Sequence, residues 1–330
     1  MLKYYQQQGK NGDVAVYSTV TLTRNCKDLP FAARLEKEKA AQLFENVGKA
    51  LADAGLSFEK KDFTALSATK RGALAEMGLA PQSLVQGSSP RGVYASEDES
   101  LCVIVGDEDH VKIQAQSAGL DLAACLEKAQ AVDKALDAAL GWAYSEKYGY
   151  LTASPVNLGC AMRAGVCLHL PMIAADSGAR TLANQSARMG YELSGVFGEG
   201  SCMYLLSNAK SLGTTEKELV TGIESAAEKI MEREREMRAQ LYKDSPEYLE
   251  NRVYRALGLL GAARVITFRE ATALVSDARL GAGVLSDVQY EKLDRILRLI
   301  GPCAVSEKGG EEESEKTEVR RAQRIRRALA

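Results

Sequence analysis

VIVGDEDHVKIQ, residues 103–114, sets an apolar run, Val103–Val105, against three consecutive acids and a histidine, Asp107-Glu108-Asp109-His110. It then returns to the strand-like alternation Val111-Lys112-Ile113-Gln114. Two flanks that favour burial and a charged centre read as strand, turn, strand. Two readings of the acids are open. They form a turn that faces water, or one of them stands on the floor of a cleft, where burial tunes it as a base.

Outward from this hairpin the pattern stays mixed. Residues 14–22, VAVYSTVTL, alternate and are rich in β-branched side chains, which predicts a strand. Leu35, Leu43, Val47 and Leu51 form a helical stripe over 33–54, and Leu122, Leu126, Ala129, Val132, Leu136 and Leu140 form another after Gly119. Residues 92–114 read as two or three short strands with SEDES as a turn, and 150–155, 164–171 and 191–207 as further strands. The texture then changes to helix after helix. Thr215-Glu216-Lys217-Glu218, Thr267-Phe268-Arg269-Glu270 and Ser286-Asp287-Val288-Gln289 are capping boxes, the first opening a helix to about 242. EKGGEEESEKTE (307–318) reads as an acidic solvated linker, and VRRAQRIRRALA after it as a short basic helix or tail.

Strand runs separated by long connections favour an α+β fold with a largely antiparallel sheet over a doubly wound parallel one. The expected division is a catalytic unit over 1–240 and an all-helical unit over 241–330. A net charge of −2, from 42 basic and 44 acidic residues, gives no general pull toward nucleic acid or membrane. No apolar run approaches a membrane span, and MLKYYQQQGKNGD lacks a signal-peptide core, so a cytoplasmic protein is expected. The seven cysteines fall singly, without CxxC, most of them as small buried hydrophobes rather than a zinc site or disulfide framework. Two histidines exclude a His-rich metal site, and no protein-held metal is expected.

A second acid, Glu199 in GVFGEGS (195–201), lies between an apolar run and the strand-like MYLLS, with glycines on both sides. Two carboxylates from distant segments could grip a flat cation, and a guanidinium matches them. Neither GxGxxG after a strand nor GxxxxGK[ST] occurs.

These stretches resemble a known family. GDEDHVKIQ is similar to the NEEDHxRxQ motif of the ATP:guanido phosphotransferases, the creatine and arginine kinases. YGYLTASPVNLGCAMRAGVCLHLP (148–171) is similar to that family's YLTxCPxNxGTGLRAxVxLxLP block, and GVFGEGS to the region of its second catalytic glutamate. The HLP ending, the lack of a helical domain ahead of the first strand and the stretch 252–281 resemble the bacterial branch acting on arginine in proteins. The resemblance implies a glutamine-synthetase-like catalytic domain, ATP with Mg2+ held through the nucleotide, and protein substrates bearing arginine. It is also compatible with an activator, stress-response regulators and a homodimer through the helical domain. Glu108 would orient the guanidinium and act as its base, with Glu199 completing the clamp. Nucleotide contacts would come from Ser18, Thr19, Thr21, Lys112, Arg163, the Ala164-Gly165-Val166-Cys167 backbone, Ser194, Gly195 and Gly198.

The chain departs from the pattern where the family places five phosphate-binding arginines. Thr19, Thr21 and Ser194 are neutral, Lys112 keeps charge without the bidentate fork, and Arg163 is unchanged. Losing one preorganised charge commonly costs about 10²- to 10³-fold in rate, so slow phosphotransfer is expected. The alternative is an impaired kinase serving as an arginine- or phosphoarginine-binding or regulatory module. Arg24, Arg91 or Arg188 could replace the missing charge. Ser154 occupies the place of the cysteine often found before the CPxN proline, and Cys160 and Cys167 read as packing residues. His110 orients Glu108 or is structural, whereas His169 in VCLHLP reads as a core histidine. The bacterial RDxxRA phosphoarginine motif becomes Thr317-Glu318-Val319-Arg320-Arg321-Ala322. Arg320 and Arg321 are thus either a remnant of that pocket or part of a basic tail.

Overall fold

The computed structural model describes residues 1–306 and 315–330. Eight strands form one sheet in the order β2-β3-β4-β5-β1-β8-β10-β9, every neighbouring pair antiparallel. The strands are β1 (Ala15–Arg24), β2 (Glu59–Asp62), β3 (Gly92–Ala95), β4 (Leu101–Val105), β5 (Val111–Ala118), β8 (Met162–His169), β9 (Tyr191–Val196) and β10 (Met203–Asn208). A separate two-stranded ribbon pairs β6 (Tyr144–Ser145) with β7 (Gly149–Tyr150). The helices are α1 (Lys37–Asp53), α2 (Ala68–Glu76), α3 (Gln82–Val85), α4 (Leu122–Leu140), α5 (Pro171–Ala174), α6 (Gly178–Arg188) and α7 (Glu216–Asp244). The C-terminal helices follow: α8 (Pro246–Ala262), α9 (Phe268–Arg279), α10 (Tyr290–Leu299), α11 (Pro302–Val305) and α12 (Glu315–Leu329).

The period-2 alternation of β1 gives the sheet two different faces. Val20 and Leu22, with Ile113 and Ala115 of β5 and Ala164 and Val166 of β8, pack under the apolar stripes of α1, α4 and α7. Tyr17 points the other way, and with Cys167 and Met203 joins a second core made by the C-terminal helices. Farther along this second face the side chains turn polar: Thr19, Thr21, Thr23, Lys112 and Gln114. The helical unit covers one end of that face and leaves the polar end as a cleft.

The α+β architecture follows the pattern expected from the sequence, with several local differences. Helix α7 runs unbroken through position 240 and stops at Ser245, the residue before Pro246, whose extended φ of −153° proline steric demand favours. The strand expected over 150–155 shrinks to Gly149–Tyr150. Beyond it, the Ala153 N–H donates to the Asp109 carboxylate and Pro155 opens a 3-10 turn. The helix expected at Ser286 starts at Tyr290, with no side-chain cap. Of the acidic stretch 307–318, residues 307–314 lie outside those described and α12 already begins at Glu315. The periodicity did not reveal α6 or β2. Among the described residues no helix is long and apolar enough to cross a membrane.

Candidate functional site

The turn between β4 and β5 uses three of its four titratable side chains to build itself. Asp109 is fully buried, and its Oδ1 accepts from the Asn25 side chain and the Ala153 N–H, both at 2.7 Å. The Asn25 side-chain oxygen Oδ1 in return accepts the His110 N–H. His110 is buried too, its Nδ1 accepting from the Cys26 N–H at 3.0 Å and its Nε2 bonded to the Pro30 carbonyl at 2.8 Å. That pair of partners requires the neutral Nε2–H tautomer, and burial holds the ring's pKa below the usual histidine value. His110 is therefore a structural staple between the turn and the end of β1. Asp107 pairs with Lys112 at 2.5 Å. Glu108 remains, exposed and without a hydrogen-bond or ion-pair partner among the described residues.

Beside this turn lies a cleft of about 260 Å³ lined by Thr21, Thr23, Lys112, Gln114, Asn157 and Arg163 among others. The register explains the grouping: Thr21 stands opposite both Gln114 and Arg163, and Thr23 opposite Lys112. Thr19, opposite Gly165, is one step farther along the same face. Both cations in the cleft have carboxylate partners. Arg163 reaches Glu192 at 2.5 Å and the Ser207 hydroxyl at 3.1 Å. The Arg163–Glu192 pair is about half exposed, whereas the Asp107 side chain is only 4% exposed. Water-screened pairs are worth about 0–1 kcal/mol, so a phosphate can recruit Arg163 at little cost. Lys112 is held more firmly. Cationic and hydroxyl groups around one cleft suit a polyphosphate, although the cleft holds fewer arginines than a full clamp.

The remaining expected nucleotide residues divide by face. The Ser18 hydroxyl donates to the Gly119 carbonyl, and Ala164 and Val166 point into the helix-covered core, so their side chains face away from the cleft. Cys167 and Ser194 flank Leu205 on the cleft face, level with Tyr17. Four residues of β1 separate that level from Thr21, about 13 Å at strand rise, and Cys167 is buried there beneath the C-terminal helices. Burial pushes its thiol up to about 12, and raises that of Cys160, so neither is poised as a nucleophile. Gly195 stands opposite Tyr204, and Gly198 lies in the β9–β10 turn.

Glu199 sits in that same turn, residues 197–202, and this structure does not bring it to Glu108. Along the antiparallel order the β4–β5 turn lies at the end of β1, where Val111 pairs Arg24. The β9–β10 turn lies beyond the start of β1, where Met203 pairs His169 and Leu168 pairs Ala15. The length of β1 intervenes, about 30 Å at roughly 3.3 Å per residue, so one guanidinium cannot touch both carboxylates in this arrangement. The turn is instead docked on α9. The Glu199 carbonyl accepts from the Thr272 hydroxyl at 3.1 Å, and its exposed carboxylate lies 3.5 Å from Arg269. Gly198 and Gly200 both have φ near +86°, where glycine avoids the steric cost of a Cβ.

None of the three substitute arginines lines the cleft. Arg24 is buried on the opposite face, bidentate to Asp133, 3.8 Å from Glu216 and stacked under Tyr150. Arg91 donates to the Gln86 and Ser89 carbonyls, and Arg188 is exposed in the last turn of α6. His169 is a satisfied core histidine, bonded to Ser276 and Arg238. Arg321 is buried, donating to the Ile300 and Ile266 carbonyls, with Arg320 half-buried beside it. Sequence reasoning missed Asp107, Thr23, Asn157 and Glu192. The β1 alternation through Thr19 and Thr21 pointed to Thr23, but Glu192 meets Arg163 only through sheet pairing.

Comparison with known proteins completes the assignment. Residues 39–237 match the ATP:guanido phosphotransferase C-terminal catalytic domain, and residues 246–330 match the protein-arginine kinase McsB C-terminal domain. The protein-arginine kinase of Caldanaerobacter subterraneus subsp. tengcongensis is 34% identical over 301 residues, 88% of this chain and 89% of that protein. That of Symbiobacterium thermophilum is 32% identical over 343 residues, 99% and 96% of the two chains. Among solved structures, the duplicated taurocyamine kinase from Schistosoma mansoni superposes with TM-score 0.63 at 24% identity. It covers 79% of this chain and 39% of that longer one. A lombricine kinase superposes with TM-score 0.60 at 19% identity, covering 71% and 69%. Those two likenesses concern the fold, whereas the sequence relatives span the whole chain: it belongs to the ATP:guanido phosphotransferase family, on its protein-arginine kinase branch.

Proposed function

We infer that this chain transfers the γ-phosphoryl group of ATP to the guanidinium of arginine residues in proteins, and does so slowly. The observation that carries the reading is the turn at 106–110. Its other acids are bonded into the fold, and Glu108 alone among them is left for a substrate, next to a cleft bearing Lys112 and Arg163. Glu108 accepts the guanidinium's hydrogen bonds and takes its proton as the nitrogen attacks. Lys112, Arg163 and the threonine hydroxyls neutralise the phosphates, with Mg2+ carried in on the nucleotide. Catalysis of this kind rests on alignment and charge neutralisation. The depleted clamp, with both cations paired to carboxylates, accounts for the low rate.

The same pairing favours a second reading, an impaired kinase that binds arginine or phosphoarginine in a regulatory role. Incubation with Mg-ATP and an arginine-rich protein acceptor separates the two. Acid-labile phosphate on arginine, absent with Glu108→Gln, supports the enzyme. No label above that control, together with no thermal stabilisation by Mg-ATP, leaves the regulatory reading. A cytoplasmic setting and a homodimer through the helical unit belong to the same proposal. Tyr248, Tyr254 and Leu259 are exposed on α8, and a monomeric mass in solution would remove the dimer.

A further inference from the structure

The second face of the sheet carries another cavity, of about 390 Å³, between the catalytic strands and the C-terminal helices. Arg298 of α10 forms part of its wall and is 4% exposed. Its guanidinium is enclosed by rings, 4.5 Å from the centre of Tyr17, 5.0 Å from Phe197 and 5.7 Å from Tyr4. Nη1 donates to the Met77 carbonyl at 3.1 Å, but Nη2 is buried and has no hydrogen-bond partner among the described residues.

Three other buried arginines of this protein are treated differently. Arg24 is matched by Asp133, Arg238 by Glu234 and Arg279 by Asp294. Arg298 forms no ion pair with any described residue. The carboxylate that lines the same cavity, Glu76, accepts the Cys303 and Ala304 N–H groups at 2.9 and 2.8 Å. A buried charge is normally paired, because an unpaired one forfeits its hydration without return. The ring stacking returns part of that loss but supplies no acceptor for Nη2.

We propose that this cavity binds a small anion carrying a flat apolar group, with Arg298 as its counter-ion and Phe197 and Phe268 flanking the flat part. An acidic headgroup, carboxylate or phosphate, pairs with the guanidinium from the cavity side through a charge-assisted bond. A bare hydrated ion does not fit, because the walls are predominantly apolar. Bound there, the ligand touches β9, α2 and α10 at once and so braces the catalytic unit against the helical one. The site is separate from the phosphate cleft at Thr21 and Arg163, with which it shares no lining residue.

Calorimetric titration of the full chain with phenyl phosphate and, in parallel, benzoate tests this. The expected result is saturable one-to-one binding of at least one probe, weakened tenfold or more by Arg298→Gln and unaffected by saturating Mg-ATP. The probe preferred identifies the headgroup. Ala75→Phe keeps the arginine and fills the cavity from α2, so it abolishes binding even if Arg298→Gln fails to fold. Absence of saturable binding by either probe to the unsubstituted protein overturns the proposal. So does equal affinity in both variants. Displacement by Mg-ATP also overturns it, since the cavity would then be part of the nucleotide site.

Discussion

The four titratable side chains of the β4–β5 turn divide between construction and chemistry. Asp109 and His110 are locked into bonds with Asn25, Cys26 and Pro30, so exchanging them disturbs the fold before it disturbs a reaction. Glu108 has no such duty. Glu108→Gln is expected to leave the melting temperature within about 1–2 °C, since surface changes are usually within about 0.5 kcal/mol, while removing phosphotransfer. Glu199→Gln separates the two glutamates. With Glu199 docked on α9, its loss should reduce activity far less than the loss of Glu108, and an equal loss in single-turnover assays would mean the turn relocates during the reaction. Glu192 offers a gain. Freeing Arg163 by Glu192→Gln releases a partly exposed pair worth about 0–1 kcal/mol, so ATP should bind up to about fivefold more tightly at low salt. Nucleotide titration at two salt concentrations checks it.

Among the secondary-structure elements, the helices under the first face depend on buried charge pairs as well as apolar stripes. Arg24, at the end of β1, meets Asp133 from the middle of α4. Asp133→Asn removes the bidentate partner and leaves the buried guanidinium only Glu216 at 3.8 Å, so it should cost about 3 kcal/mol in urea unfolding, the low end for a broken buried pair. At the start of α7 the Thr215 hydroxyl accepts the Glu218 N–H while the Glu218 carboxylate accepts the Thr215 N–H. Thr215→Ala should cost about 1 kcal/mol by the same measurement, the smaller value because water can replace an exposed cap.

Across the whole molecule, the two cores are tied together by buried polar groups. Arg238 of α7 and Arg279 of α9 both donate to the Asp13 carbonyl just ahead of β1, and Arg238 also bonds to His169 at the end of β8. His169 is fully buried, and its pKa lies well below the usual value through desolvation and then the charges of Arg238, Arg279 and Arg252. The native state therefore resists protonating it, and the unfolded chain does not. Stability from this residue is complete above the unfolded value of about 6.5 and declines as pH falls below it. The melting temperature should drop from about pH 7 to about pH 5.5, with a shallower slope in His169→Gln. A chain ending at Ser245 would expose Tyr17, Cys167 and Met203, so it is expected to aggregate rather than fold as an independent catalytic unit, as light scattering would report.

Local patterning was enough for much of this architecture. Alternation in β1, the stripes of α1 and α4 and the Thr215 box depend on neighbours within a few residues, and their elements formed where the pattern placed them. The DEDH turn and the Arg163 strand were legible too, because each lies within one short segment. The 150–155 strand failed because the Ala153 N–H bonds to Asp109 and the Leu151 carbonyl accepts from Asn25, partners far away in the chain. The two glutamates show the limit most clearly. Chain order says nothing about which end of a sheet a hairpin turn occupies; antiparallel pairing through β5, β1, β8, β10 and β9 decides that, and it sends Glu108 and Glu199 to opposite ends. Likewise, only the packing of α10 against Tyr17 and Phe197 could bury Arg298 without a carboxylate, because burial and counter-ion are properties of neighbours brought together in space.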